Sequence, residues 1–236
     1  MSKVSMIFKQ LFDAKSSTYT YIVSSGKGRE ALIIDPVVEN THDYIKVLNN
    51  LDLKLVKVID THIHADHISG LNELSKKTKC SKVMGEKSGS EVLDIRVKDN
   101  EKIKIENIEL ISMHTPGHTD CSYSFLMNDR VFTGDTLLIN GTGRTDFQNG
   151  NSHDAYYSLF NKLLKLPEKT LVYPAHDYNG KKYSTIESEK NNNPRLQVKS
   201  AEEYAEIMDN LNLENPGMID IAVPANIKGF TLDNIN

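Results

Sequence analysis

Tryptophan is absent from this 236-residue chain, and cysteine occurs only twice, at Cys80 and Cys121. Two cysteines without C-x-x-C spacing build neither a disulfide framework nor a cysteine-rich zinc module. Their scarcity points to a reducing compartment, with the cytoplasm as the expectation. Each is read as a small buried hydrophobe. No apolar run approaches the ~18 residues of a spanning helix, so a membrane protein is excluded. The opening MSKVSMIFKQLF has no apolar stretch with a small-residue cleavage site, and no secretory leader is expected. Positive charge is not in excess: 28 Lys and Arg face 32 Asp and Glu, for a net charge of -4. Without a basic domain or stripe, nucleic acid is not an expected partner. Thirteen glycines and seven prolines are too few for a collagen-like or disordered composition. What remains is an ordinary globular chain, long enough to bury a full core, in one large domain or two small ones.

The first third alternates β-like runs with helical ones. Segments 6–12, 18–24 and 31–36 are rich in branched and aromatic residues and broken by Ser, Gly and Pro. Asn40 or Thr41 is placed to cap a helix whose Tyr44, Val47, Leu48 and Leu51 share one face. An apolar strand, 54–61, runs directly into the polar cluster HIHADH, after which Ile68, Leu71 and Leu74 recur at helical spacing. Later, 102–115 reads as a hairpin around Glu106-Asn107, and 122–127 with 131–135 as another around Asn128-Asp129. A Gly-rich loop then leads to a helix that Ser152 can cap, followed by a strand at 171–177 and helices over 183–192 and 201–211. The very polar stretch 182–200 is read as flexible or ligand-covering. The β-rich/α-rich alternation occurs twice, which predicts two similar halves with sheets inside and helices outside.

Five of the eight histidines fall in three places, each at the end of a predicted strand. His62, His64 and His67 share THIHADH with Asp66; His118 lies in TPGHT and His176 in PAHD; FTGDT adds Asp135. Imidazoles and carboxylates converging from the carboxyl ends of strands make a metal site the leading reading. A lone histidine is more often structural, and His42, His114 and His153 are read that way.

In this order and spacing, THIHADH, TPGHT, TGD and PAHD resemble the metallo-β-lactamase superfamily over nearly the whole chain. The resemblance implies an α/β fold, a four-layer α/β/β/α sandwich with the metal at the edge between the sheets. It also implies a single domain over 1–236, whose segment from about 182 completes the substrate side. The ligand set alone leaves two chemistries open. In binuclear hydrolases of the glyoxalase II type, positions matching His62, His64 and His118 hold one zinc. Those matching Asp66, His67 and His176 hold a second, and Asp135 bridges. That inventory favours a hydroxyacylglutathione hydrolase with a bridging hydroxide.

Further strings, GTGRTDFQNG (141–150), PAHDY, NPRL (193–196) and IDIAVPAN (219–226), are similar to the persulfide dioxygenases. That resemblance implies one Fe(II) per chain, held by His62, His118 and Asp135, a facial triad with open positions. Glutathione persulfide, O2 and water would give sulfite and glutathione. His64, Asp66, His67, His176 and Asp177 would then lie behind the ligands and orient them. Arg144, Tyr178 and Arg195 are the expected contacts to glutathione, whose carboxylates suit planar guanidinium groups. Cys121 lies close to the His118 turn, where sensitivity to oxidation is expected. A homodimer is the family expectation. No rhodanese-like domain is recognisable, so a sulfurtransferase partner would be a separate chain. A degenerate, non-catalytic relative is disfavoured because every ligand position is intact.

Overall fold

The computed structural model describes residues 6–234. Strands β1 (Ile7–Asp13), β2 (Thr18–Ser24) and β3 (Glu30–Ile34) form an antiparallel meander. Helix α1 (Thr41–Asn50), strand β4 (Lys54–Ile59), helix α2 (Leu71–Thr78) and strands β5 (Ser81–Gly85) and β6 (Ile95–Val97) follow. The first sheet has the order β1-β2-β3-β4-β5-β6, parallel from β3 onward. The second is built from β7 (Lys102–Ile105), β8 (Ile108–His114), β9 (Tyr123–Leu126), β10 (Arg130–Gly134), β11 (Leu171–Pro174) and β12 (Ser184–Thr185). Its order is β12-β11-β10-β9-β8-β7. Helix α3 (Ser152–Tyr157) joins β10 to β11, and α4 (Ile186–Asn192), α5 (Ala201–Asp209) and α6 (Ile219–Lys228) end the described chain.

Alternation explains the layering. In β2, Tyr21 and Val23 enter the core between the sheets while Ile22 faces the helices; β3 divides Leu32 and Ile34 from Ala31 and Ile33 in the same way. Both faces of these strands are buried, so they read as continuous apolar runs. The inter-sheet core adds Ile59, Phe125, Phe132 and Tyr173. Tyr44 and Leu48 of α1 and Leu71 and Leu74 of α2 cover the first sheet. Leu159, Ile186 and Tyr204 cover the second. The four-layer sandwich expected from the sequence is the observed one. At one edge the sheets meet: the Tyr19 amide donates to the Ala175 carbonyl (2.7 Å), and Thr18 bridges to His176.

Several local expectations need correction. Asn40 sits at the start of α1 but does not cap it, because its side chain donates to Asp13 (2.9 Å). The hydroxyl of Thr41 turns back to the Val38 carbonyl (2.7 Å). Helix α3 is capped by Asn151 rather than Ser152, with the Asn151 side chain accepting from the Asp154 amide (3.0 Å). The helix expected over 183–192 begins three residues later, since Ser184 and Thr185 pair with β11 as β12. Strands β5 and β6 and helix α6 carry no prior reading. The polar stretch 182–200 is packed rather than loose: Glu189 and Asn193 are fully buried. Both cysteines are buried and free, and burial pushes the Cys121 thiol up, which opposes easy oxidation. Among the described residues no helix is long and apolar enough to cross a membrane.

Candidate metal centre

The carboxyl ends of β4, β10 and β11 and the turn after β8 deliver the polar residues to that shared edge. Proton accounting around Thr61 fixes the state of His62. The Thr61 hydroxyl donates its only proton to Asp35 Oδ2 (3.1 Å), while Asp35 Oδ1 accepts the Thr61 amide (2.7 Å). Thr61 must therefore accept from His62 Nδ1 (3.0 Å), which leaves His62 Nε2 as a lone pair. Burial, reinforced by neighbouring histidines, holds His62 well below the usual histidine range, hence neutral. His118 is oriented by another route: its Nδ1–H donates to the Arg144 carbonyl (2.8 Å), which turns Nε2 toward the site.

Both Nε2 atoms face Asp135 Oδ2, at 3.9 Å from His62 and 3.5 Å from His118. Burial alone would raise the Asp135 carboxyl, but His176 and the other two histidines outweigh it and hold the group well below the carboxylate range. Ligand atoms of His62, His118 and Asp135 lie within 4.8 Å of one another. Two imidazole nitrogens and a carboxylate oxygen converging in this way are a donor set that fits a divalent cation. Two glycines permit the approach. A Cβ on Gly143 would lie 2.2 Å from the Asp135 carbonyl and 2.9 Å from the His118 ring. Gly134 has φ +52, and its Cβ would press on Thr61.

The other predicted residues gather next to this triad. His176 Nδ1 donates to Asp135 Oδ1 (2.7 Å) and its Nε2 to Asp66 Oδ2 (2.9 Å). Against the cost of burial, these two carboxylates raise His176 well above the histidine range. Asp66 also accepts from His67 Nδ1 (2.8 Å), and His64 Nε2 donates to Asp35 (3.2 Å). Among the described residues, His64 Nδ1 and His67 Nε2 are buried without a hydrogen-bond partner. The four side chains of His64, Asp66, His67 and His176 form a second group with metal-holding geometry. His42 and His153 are exposed, and His114 pairs with the Asp120 carbonyl (3.0 Å), all outside both groups.

A cavity of about 770 Å³ opens above the triad, walled by Lys15, Arg144, Tyr178, Arg195, Glu214 and Met218 among others. The three expected glutathione contacts differ in what they have free. Arg144 places its fork on Asp146 (2.7 Å for both bonds) and donates to the Glu214 carbonyl (2.6 Å). Arg195 donates to the Thr142 carbonyl and, among the described residues, pairs with no acidic side chain. Tyr178 is 72% exposed, its ring nearly parallel to that of His176. Asp177 accepts from the amides of Asn179 (2.9 Å) and Lys181 (2.7 Å), shaping the turn that carries Tyr178. Sequence reasoning misses Asp35, Thr61 and Asn226. The first two follow strands β3 and β4, where acceptors for ligand histidines are commonly found.

Residues 14–176 match the model of the metallo-beta-lactamase superfamily. Over 94% of this chain and 88% of the relative, the sequence is 44% identical to "Persulfide dioxygenase ETHE1, mitochondrial" of Mus musculus. The hydroxyacylglutathione hydrolase of Dictyostelium discoideum is 35% identical over 74% of this chain and 68% of its own. Among solved structures, ETHE1 from Myxococcus xanthus is 47% identical with a TM-score of 0.91, covering 93% of this chain and 97% of that one.

Proposed function

Because the chain belongs to the metallo-β-lactamase superfamily and, within it, to the persulfide dioxygenase family, we propose that it oxidises glutathione persulfide with O2 and water to sulfite and glutathione. The terminal persulfide sulfur gives up the electrons that reduce O2, and the S–S bond is broken. The observation carrying this reading is the division of Asp135. Its Oδ2 faces His62 and His118, while its Oδ1 is taken by the His176 N–H (2.7 Å). One carboxylate oxygen and two imidazole nitrogens on one face suit a single Fe(II) with open positions. Iron(II) bound there would supply the oxygen chemistry that protein side chains lack.

The chain's own residues supply position. Arg195, without an acidic partner, is the stronger candidate for a glutathione carboxylate. Arg144 already serves Asp146, so it contributes its remaining N–H and the shape of the 144–147 loop. Tyr178 offers an exposed ring and hydroxyl at the rim. Arg195, Glu214 and Met218 line the cavity, which supports the reading that the segment from 182 onward completes the substrate side. We place the enzyme in a reducing compartment, the cytoplasm, as a homodimer supplied by a separate rhodanese-type sulfurtransferase. The two buried free thiols support the reducing compartment.

A second reading has its own observation. The unpartnered His64 Nδ1 and His67 Nε2 are lone-pair candidates for another cation, as a hydroxyacylglutathione hydrolase would require. Metal analysis of protein made in iron-rich medium, paired with oxygen uptake on glutathione persulfide, tests the choice. One iron per chain with oxygen uptake is expected. Two zinc ions per chain, full activity with zinc and hydrolysis of S-lactoylglutathione would overturn the dioxygenase.

A further inference from the structure

The loop 62–69 is tied down at both ends, by different parts of the chain. At its start, Asp35 accepts from the Thr61 amide and hydroxyl. At its far end the partner is Asn226 of helix α6, some 160 positions later in the chain. Its amide Nδ2 donates to the carbonyls of His64 (2.9 Å) and His67 (3.0 Å), and its Oδ1 accepts from the Ser69 amide (2.8 Å). The side chain is buried at 7% exposure, so its hydrogen-bonding groups have protein rather than bulk water around them. An amide that satisfies two carbonyls and one N–H of a turn fixes three backbone orientations at once.

Those orientations reach the metal centre by short steps. The backbone from His64 to Ser69 carries the side chains of Asp66 and His67. Asp66 accepts from His67 and His176, and His176 donates in turn to Asp135. Helix α6 is itself well seated. Ala222 and Ala225 pack on Val38 and Ile68, and the Glu91 amide donates to the Ile227 carbonyl (2.9 Å). We propose that Asn226 is a positioning residue of the metal centre, holding the His64–Ser69 backbone so that Asp66 and His176 present Asp135 to the cation. The role rests on the metal reading of the site and not on which reaction the metal serves.

The test uses the full chain, stripped with a chelator and titrated with Co(II), whose visible bands report ligand geometry. Asn226→Ala and Asn226→Asp should each weaken Co(II) about 10–100-fold and change the band intensities, as loss of a partner behind metal ligands does. The aspartate keeps the acceptor for Ser69 but loses both donations, so it should not restore affinity. Amide exchange at residues 67–69 should accelerate in both. The control is Phe230→Ala, which thins the packing around α6 but removes none of the three Asn226 hydrogen bonds. At a comparable drop in Tm it should change Co(II) affinity by less than about twofold, the spread of independent sites. Equal weakening by the control and the Asn226 variants would make the residue merely structural and overturn the proposal. So would unchanged affinity in both variants, or the failure of both to fold. A protein that binds Co(II) as expected yet, when loaded with iron(II), shows no oxygen uptake on glutathione persulfide would sink the dioxygenase and leave this inference standing.

Discussion

His176 donates through Nδ1 to Asp135 Oδ1 at 2.7 Å, the oxygen of that carboxylate turned away from His62 and His118. Asp66 engages the other side of the ring at 2.9 Å, so both His176 nitrogens face carboxylates. Asp66 is thereby the residue on which the mononuclear and binuclear readings differ.

Asp66→Ala should keep iron-dependent oxygen uptake with glutathione persulfide, reduced about 10–100-fold, because it removes a partner behind the ligands. His62→Ala, which removes a ligand, should abolish uptake. Oxygen-electrode assays at matched metal loading measure both. Complete loss in Asp66→Ala, with one metal of two gone, would favour the hydrolase.

Arg195→Ala should raise KM for glutathione persulfide far more than it lowers kcat. A lost charge-assisted hydrogen bond costs roughly 1.5–3 kcal/mol, about ten- to a hundred-fold. Arg144→Ala should instead change kcat as well, because the Arg144 carbonyl holds His118 and its side chain braces that loop. Steady-state kinetics on both variants separates the roles. An unchanged KM in Arg195→Ala would move the carboxylate contact elsewhere.

Gly143→Ala should fold but bind metal poorly. The added Cβ would lie 2.2 Å from the Asp135 carbonyl, so backbone beside a ligand must shift. Such a displacement is expected to cost at least about tenfold in metal affinity, the lower end of effects behind metal ligands. Circular dichroism with metal analysis checks it. Wild-type metal content would show that the loop yields without cost.

Stripping the metal should lower Tm, and reloading should restore it, because the ligands converge only in the folded state. Saturation at a hundred times Kd stabilises by about 2.7 kcal/mol. At roughly 2–4 °C per kcal/mol for a chain of this size, the shift is about 5–11 °C. Differential scanning calorimetry of stripped and loaded protein measures it.

Much of this centre was legible because histidine and aspartate at strand ends are rare in any other role. His62, Asp135 and His176 are placed by the sequence itself, because strands 54–61, 131–135 and 171–177 are plainly apolar. What could not be read was pairing between distant segments. Asn226 sits beside Pro224 in a short helix whose proline obscures its periodicity, and nothing local says that its amide reaches His64. Arg144 illustrates the opposite failure. Its partner Asp146 is only two residues away, yet whether the guanidinium turns to it or to a ligand depends on the loop's path. Caps misread for a similar reason: Asn40 prefers Asp13, a residue 27 positions earlier.

The tie between Asn226 and the His64–Ser69 backbone also bears on how the protein is made. A chain emerging from the ribosome exposes THIHADH early, and its N-terminal elements begin to order first. The amide that closes the loop is translated some 160 residues later. Until then THIHADH carries three closely spaced imidazoles on a turn that Asn226 has not yet fastened. On the role proposed for Asn226, the turn reaches its final shape only once α6 has docked.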